Sequence, residues 1–104
     1  QRPPFMNFML DDYAWKQGVP KEDVPADLDR YDNSDVVGLV SCNTLVLDGA
    51  AEVQPGAAKQ YFEALQCPKK YHLFDFDSTA QCHCQTGGYA PASEFIMNWI
   101  EEIL

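Results

Sequence analysis

Residues 44–52 have the sequence TLVLDGAAE, and this stretch decides the fold. Thr44 to Leu47 is a continuous run of β-favouring residues without alternation, which indicates a strand buried on both faces, as in a parallel sheet. Asp48 and Gly49 close the run with residues that favour turns. A second carboxylate, Glu52, follows three positions after the glycine. We therefore predict a buried parallel strand that leads into an acidic turn.

The residues after this strand predict a helix, a second strand and a second helix. A helix with one apolar face opens after Pro55, and residues 71–76 (YHLFDF) alternate like a strand. A polar loop, residues 77–88, leads into a last helix that carries Pro91 in its first turn. The order strand, helix, strand, helix predicts an α/β unit whose parallel strands are joined by right-handed crossovers.

The residues before this unit have a different character. Residues 5–16 are apolar and aromatic at helical spacing, and Gly18 closes the predicted helix. Residues 21–34 are polar and acidic and predict a loop with one helical turn. The sequence thus divides into a helical arm over residues 1–34 and a β-α-β-α unit over residues 35–104.

Composition excludes several classes of partner. A chain of 104 residues has room for one domain, and its formal charge of −9 argues against nucleic acids and anionic membrane surfaces. The longest apolar run is too short to span a bilayer. Four cysteines fall below the density of a secreted disulfide scaffold, so we expect a reducing, cytoplasmic setting.

Two chemistry-bearing residues follow the two predicted strands. In open α/β sheets, functional groups gather at the carboxyl ends of the strands. Glu52 follows the first strand and His83 follows the second, so we expect the carboxylate to bond one imidazole nitrogen and leave the other as a base. Asp48 is an alternative acid, although an aspartate at a strand end is commonly a turn residue. His72 lies within the strand pattern and is expected to be structural.

The segment Cys82-His83-Cys84 raises the question of a zinc site, with Cys67 or His72 as a further ligand. Structural zinc sites usually place two to four residues between paired cysteines, and one intervening residue is tighter than that. We therefore expect small packing residues beside the histidine, with no metal and no cofactor.

Three stretches together resemble the end of an α/β-hydrolase: residues 44–65, residues 71–74 and residues 80–104. Within that fold they are most similar to the helical-cap group that includes fungal polyketide-shortening hydrolases and carbon–carbon bond hydrolases. The resemblance covers residues 35–104 well, and residues 1–34 resemble part of the cap.

The resemblance implies roles for three residues. The triad order in this fold is nucleophile, acid, histidine, and the acid follows a strand through a Gly-x-x-acid turn. Gly49 to Glu52 fits that turn, and His83 fits the histidine before the last helix. The usual acid is aspartate and the turn is one residue short before Pro55, which keeps Asp48 as the alternative.

The expected nucleophile is absent from this sequence. None of its serines lies in a Gly-x-Ser-x-Gly elbow, and the oxyanion hole of the fold also comes from earlier segments. We therefore expect a C-terminal fragment of a longer or two-chain hydrolase, inactive by itself. The intact enzyme would act on a small-molecule ester, thioester or carbon–carbon bond next to a carbonyl, with the missing N-terminal hydrolase segment as its partner. The alternative is a non-catalytic α/β module for binding or dimerisation, and a zinc protein is a distant third.

Overall fold

The computed structural model describes residues 4–104, which divide into two compact units with the border between Asn33 and Ser34. The fold is mixed α/β, with one sheet of two parallel strands and four α-helices among the described residues. The predicted α/β class with parallel strands is confirmed. None of the helices in this range combines the length and apolar character needed to cross a membrane.

The first unit contains helix α1 (Pro4–Gln17) and the short helix α2 (Val24–Leu28). Helix α1 ends immediately before Gly18, whose φ of 69° lies in the left-handed region that terminates helices. The sequence predicted a helix with one apolar face, and the helix is present, but none of its described residues is buried. Its large exposed apolar side chains are Phe5, Met6, Phe8, Met9 and Trp15.

One buried carboxylate organises the polar contacts of this unit. Asp27 accepts hydrogen bonds from the Tyr13 hydroxyl at 3.0 Å and from Nη1 of Arg30 at 2.9 Å. Burial and the bond to Asp27 raise the pKa of Tyr13 to about 12. The hydroxyl therefore stays protonated as a donor across the physiological range.

The second unit contains strand β1 (Thr44–Gly49), helix α3 (Ala57–Ala64), strand β2 (Lys69–Phe74) and helix α4 (Tyr89–Ile103). The strands pair in parallel, from Thr44 opposite Lys69 to Gly49 opposite Phe74. Because both strands run the same way, their carboxyl ends meet at one edge of the sheet.

Helices α3 and α4 cover opposite faces of this sheet. Phe62 of α3 lies 5.5 Å from the ring of Tyr71, whereas Phe95 of α4 stacks on His72 at 3.8 Å. Successive side chains of a strand point to opposite faces, so these two neighbours place the helices on either side. The core on the α4 face consists of Phe74, Ala80 and Ala92, with Leu47 and Phe95 packed against them.

Strand β2 lies two positions before the stretch 71–76 that alternation predicted. Its first residue, Lys69, is held by α3, because its Nζ donates to the carbonyls of Phe62 and Leu65, each at 2.7 Å. Its end is set by Asp75, whose carboxylate accepts hydrogen bonds from the backbone of the next turn.

The predicted burial of β1 on both faces is correct only in part. Val46 and Asp48 are buried, whereas Leu45 and Leu47 on the other face are half-buried. A sheet of two strands leaves both strands at an edge, so neither has neighbours on each side.

The histidine within β2 makes stability depend on pH. Burial against Phe95 and Phe74 lowers the pKa of His72, the Lys70 ammonium lowers it further, and the Asp75 carboxylate opposes the shift. The unfolded chain then binds the proton more readily, so the free energy of unfolding falls as pH drops through about 6.5. We expect urea unfolding at stepped pH to show this fall, and His72→Phe to remove it. An unchanged slope in the variant would contradict the assignment.

Candidate active site

The two segments that follow β1 and β2 pair once more, through one isolated β-bridge beyond the regular ladder. Ala51 pairs with Cys82 in parallel, and the Ala51 N–H donates to the Gln81 carbonyl at 2.9 Å. Partners in β1 and β2 are 25 positions apart, as 44 is from 69, whereas the bridge joins positions 31 apart, 51 and 82. The six extra residues, 75–80, form a loop between the regular ladder and this last rung.

Glu52 and His83 lie one residue beyond that rung and contact each other. Oε1 of Glu52 is 2.6 Å from Nδ1 of His83, and the same oxygen accepts the Val53 N–H at 2.7 Å. The carboxylate is shielded, with 17% of its side chain exposed, whereas 65% of the imidazole is exposed. Among residues 4–104, Nε2 of the ring has no hydrogen-bond partner, so this nitrogen is open to an incoming proton donor.

Gly49 brings the two halves of the site together. A Cβ built on this residue would lie 2.3 Å from the Gln81 carbonyl oxygen and 3.3 Å from that of Cys82. Both contacts are to backbone, which cannot rotate aside as a flexible side chain can. Only glycine lets the segment that carries His83 approach β1 this closely.

The backbone after His83 is strained and tightly held. Cys84 and Gln85 have φ of 53° and 54°, in the left-handed region that non-glycine residues seldom adopt. The Gln85 N–H donates to the Cys82 carbonyl at 2.8 Å, and Thr86 donates to the His83 carbonyl from both its N–H and its hydroxyl. Such strain persists where surrounding bonds fix the conformation, and it clusters at functional sites.

Asp48, the alternative acid, has other partners. Its Oδ2 accepts the Tyr71 hydroxyl at 2.7 Å and its Oδ1 accepts the Gly49 N–H at 2.8 Å. The side chain belongs to the face of the sheet that α3 covers, since Tyr71 contacts Phe62 there. The geometry therefore favours Glu52 over Asp48 as the partner of the imidazole.

Sequence reasoning did not find Tyr71. Its only signal is a tyrosine in a strand next to one that ends in aspartate, which is too common to be informative. Burial and the bond to Asp48 raise the pKa of Tyr71 to about 12. The pair supports Gly49, where the turn to Glu52 begins, because Asp48 also accepts the Gly49 N–H.

Removing the Tyr71 hydroxyl should destabilise the second unit. In Tyr71→Phe, Oδ2 of the buried Asp48 loses its donor, and we expect a loss of about 1–3 kcal/mol in the free energy of unfolding. Urea denaturation at neutral pH measures this loss. Tyr61→Phe is the matched control, because Tyr61 is exposed and should tolerate the change.

The contribution of Tyr71 to the free energy of unfolding should also disappear as pH rises from about 10 to about 12, since the tyrosine of the unfolded chain ionises first.

The cysteines beside the histidine do not assemble a metal site in the described part of the chain. Within residues 4–104 no group of three or more histidine, cysteine, aspartate or glutamate side chains could hold a metal ion. All four cysteines are free thiols. Within this range, Cys82 and Cys84 therefore have no further metal ligands beside them.

No protein-family model, curated protein or solved structure matches this chain. The resemblance to α/β-hydrolases, and the roles that it implies for Glu52, His83 and Asp48, stay predictions from the sequence.

Proposed function

We propose that this chain is the C-terminal segment of a serine-type α/β-hydrolase, in which Glu52 and His83 are the acid and base of the triad. The observation that carries the proposal is the 2.6 Å contact between Oε1 of Glu52 and Nδ1 of His83 at the carboxyl ends of two neighbouring parallel strands. The substrate class would be small-molecule esters, thioesters or carbon–carbon bonds next to a carbonyl.

The chemistry follows from the two imidazole nitrogens. With Nδ1–H donating to Glu52, the ring keeps its lone pair on Nε2, which can accept the proton of a hydroxyl nucleophile. The carboxylate then stabilises the imidazolium that forms, and the ring returns the proton to the leaving group. Glu52 is shielded and anchored by the Val53 N–H, so the acid holds one orientation while the exposed imidazole meets the substrate.

The serine nucleophile and the oxyanion donors would come from a segment outside these residues. This sequence has no Gly-x-Ser-x-Gly elbow, and in α/β-hydrolases both groups precede the acid and the histidine in the chain. The proposal therefore requires a longer polypeptide or a companion chain.

The tautomer of His83 tests the dyad in the chain itself. Long-range proton–nitrogen NMR spectra of the neutral imidazole should show the proton on Nδ1. Glu52→Ala should move it to Nε2, the preferred tautomer of a free ring, whereas Asp48→Asn should leave it on Nδ1. A wild-type proton on Nε2 would refute the dyad, as would an equal response to both substitutions.

The nucleophile is tested in the source protein. A serine-directed fluorophosphonate should label one serine of the parent polypeptide or companion chain, within a Gly-x-Ser-x-Gly segment. His83→Ala should abolish labelling without loss of folded structure. If the source encodes no such segment, the hydrolase proposal fails even where the dyad itself is intact.

A second candidate is a non-catalytic module that dimerises through the second unit. It is supported by large apolar side chains that are exposed there, and by strands that lack outer neighbours. These side chains include Leu39, Leu73, Phe76, Tyr89 and Met97. Light scattering after size-exclusion chromatography decides between the two. A dimer with a cooperative thermal transition favours this module, and a loosely folded monomer favours a hydrolase segment.

A further inference from the structure

Two cysteines lie just before the amino ends of β1 and β2. Cys42 lies two residues before Thr44, and Cys67 lies two residues before Lys69, which is the register partner of Thr44. The first hydrogen bond between the strands runs from the Thr44 N–H to the Pro68 carbonyl at 3.0 Å and holds the two strand starts together. Cys42 and Cys67 each precede the first pair of the ladder by two positions, and the chain bends at both residues.

The two thiols converge on one hydroxyl. Sγ of Cys67 is 3.4 Å from Oγ1 of Thr44, and Sγ of Cys42 is 3.9 Å from the same atom. Two sulfurs this close to one oxygen are no more than about 7.3 Å apart, so side-chain rotation with a small backbone adjustment would bring them to bonding distance.

We infer that Cys42 and Cys67 form a thiol pair that a low-molecular-weight disulfide oxidises to an intramolecular disulfide. Both thiols are free, and they differ in access, since Cys42 is exposed and Cys67 is half-buried. The exposed thiol is the entry point for the oxidant, and the half-buried one closes the bond.

Each step balances with glutathione disulfide as the oxidant. The Cys42 thiolate attacks one sulfur, which breaks the glutathione disulfide, forms a mixed disulfide and releases one glutathione thiolate. The Cys67 thiolate then attacks the Cys42 sulfur and displaces the second glutathione. The protein loses two electrons and two protons, and one glutathione disulfide becomes two molecules of glutathione.

The bond would fasten the starts of both strands and enclose α3 within the closed loop. Closing a loop of this length reduces the freedom of the unfolded chain. We expect the folding equilibrium constant to rise on the order of 10²-fold. A sheet of two strands gives this chain little stability of its own, so the oxidation state of the two cysteines would determine the folded fraction.

This site is independent of the proposed hydrolase function. The thiol pair lies at the amino ends of the strands, and the contact between Glu52 and His83 lies at their carboxyl ends. Failure of the disulfide would leave the dyad untouched, and loss of the dyad would leave the thiol pair intact.

Trypsin digestion of the oxidised full chain tests the inference directly. After incubation with glutathione disulfide and alkylation of the remaining thiols, Cys42 lies in peptide 31–59 and Cys67 in peptide 60–69. Cys82 and Cys84 both lie in peptide 71–104. We expect peptides 31–59 and 60–69 to be joined, with peptide 71–104 alkylated at both cysteines.

The same oxidation in concentrated urea is the control. It shows whether the folded structure directs the bond between Cys42 and Cys67 or whether the two thiols meet by chance. In urea the joined peptides should fall on the order of tenfold, because the unfolded chain no longer holds both thiols beside the Thr44 hydroxyl and must close a long loop by chance. Cys82→Ser with Cys84→Ser should leave the native yield unchanged, and Cys67→Ser should stop the reaction at the mixed disulfide on Cys42. Equal yields in buffer and urea would overturn the inference, as would a native product joined at Cys82 and Cys84.

Discussion

Replacing Gly49 by alanine should lower the free energy of unfolding by about 3 kcal/mol or more and separate Glu52 from His83. The added Cβ would lie 2.3 Å from the Gln81 carbonyl oxygen and 2.8 Å from its carbonyl carbon. That carbonyl already accepts the Ala51 N–H at 2.9 Å, so moving it also breaks the last rung between the strands. Urea denaturation measures the loss of stability, and the His83 tautomer reports the separation.

Gly38→Ala is the matched control for this substitution. A Cβ at Gly38 meets only the Gln66 side chain, at 4.0 Å, so the change should stay within about 0.5 kcal/mol of the wild type. If Gly49→Ala were as mild as Gly38→Ala, the close approach of β1 to the histidine segment would be refuted.

Under the proposed hydrolase function, His83→Ala in the parent polypeptide should lower kcat on the order of 10⁴-fold or more, because the proposed base and leaving-group acid are the same ring. Glu52→Ala should cost on the order of 10³- to 10⁴-fold, because the imidazole loses its orientation and its counter-charge. Asp48→Asn should change kcat only a few-fold, since the Asp48 carboxylate binds Tyr71 and the Gly49 backbone instead. Steady-state kinetics on the parent polypeptide measures all three effects.

The remaining histidine supplies the control for these rates. His72→Phe keeps the ring that stacks on Phe95, so its kcat should match the wild type. The reverse pattern for the two acids, a large loss in Asp48→Asn and a small one in Glu52→Ala, would transfer the acid role to Asp48. A normal rate in His83→Ala would end the triad proposal.

The pairing of the strands could be predicted because it depends on local pattern and order. A continuous apolar run from Thr44 and a second β-favouring stretch, separated by one helix, allow little except a parallel pair. The contact of Glu52 with His83 then follows from where such strands end.

The roles of Asp48 and Lys69 could not be predicted in this way. The role of Asp48 depends on its hydrogen bond with Tyr71, 23 positions away. Lys69 begins β2 because its ammonium binds the carbonyls at the end of α3. Hydrophobic alternation does not record either contact, since both depend on side chains brought together by tertiary packing.

The loop at residues 75–80 has a consequence for how this architecture can vary. Because Ala51 and Cys82 re-establish pairing after the loop, the distance between acid and base is set by the rung beneath them and not by the length of chain between β2 and the histidine. Insertions in the exposed loop around Asp77 would then change the surface near the two residues while the distance between Glu52 and His83 stays fixed. The shape of the surface around His83 and the position of its imidazole could therefore diverge separately in descendants of this chain.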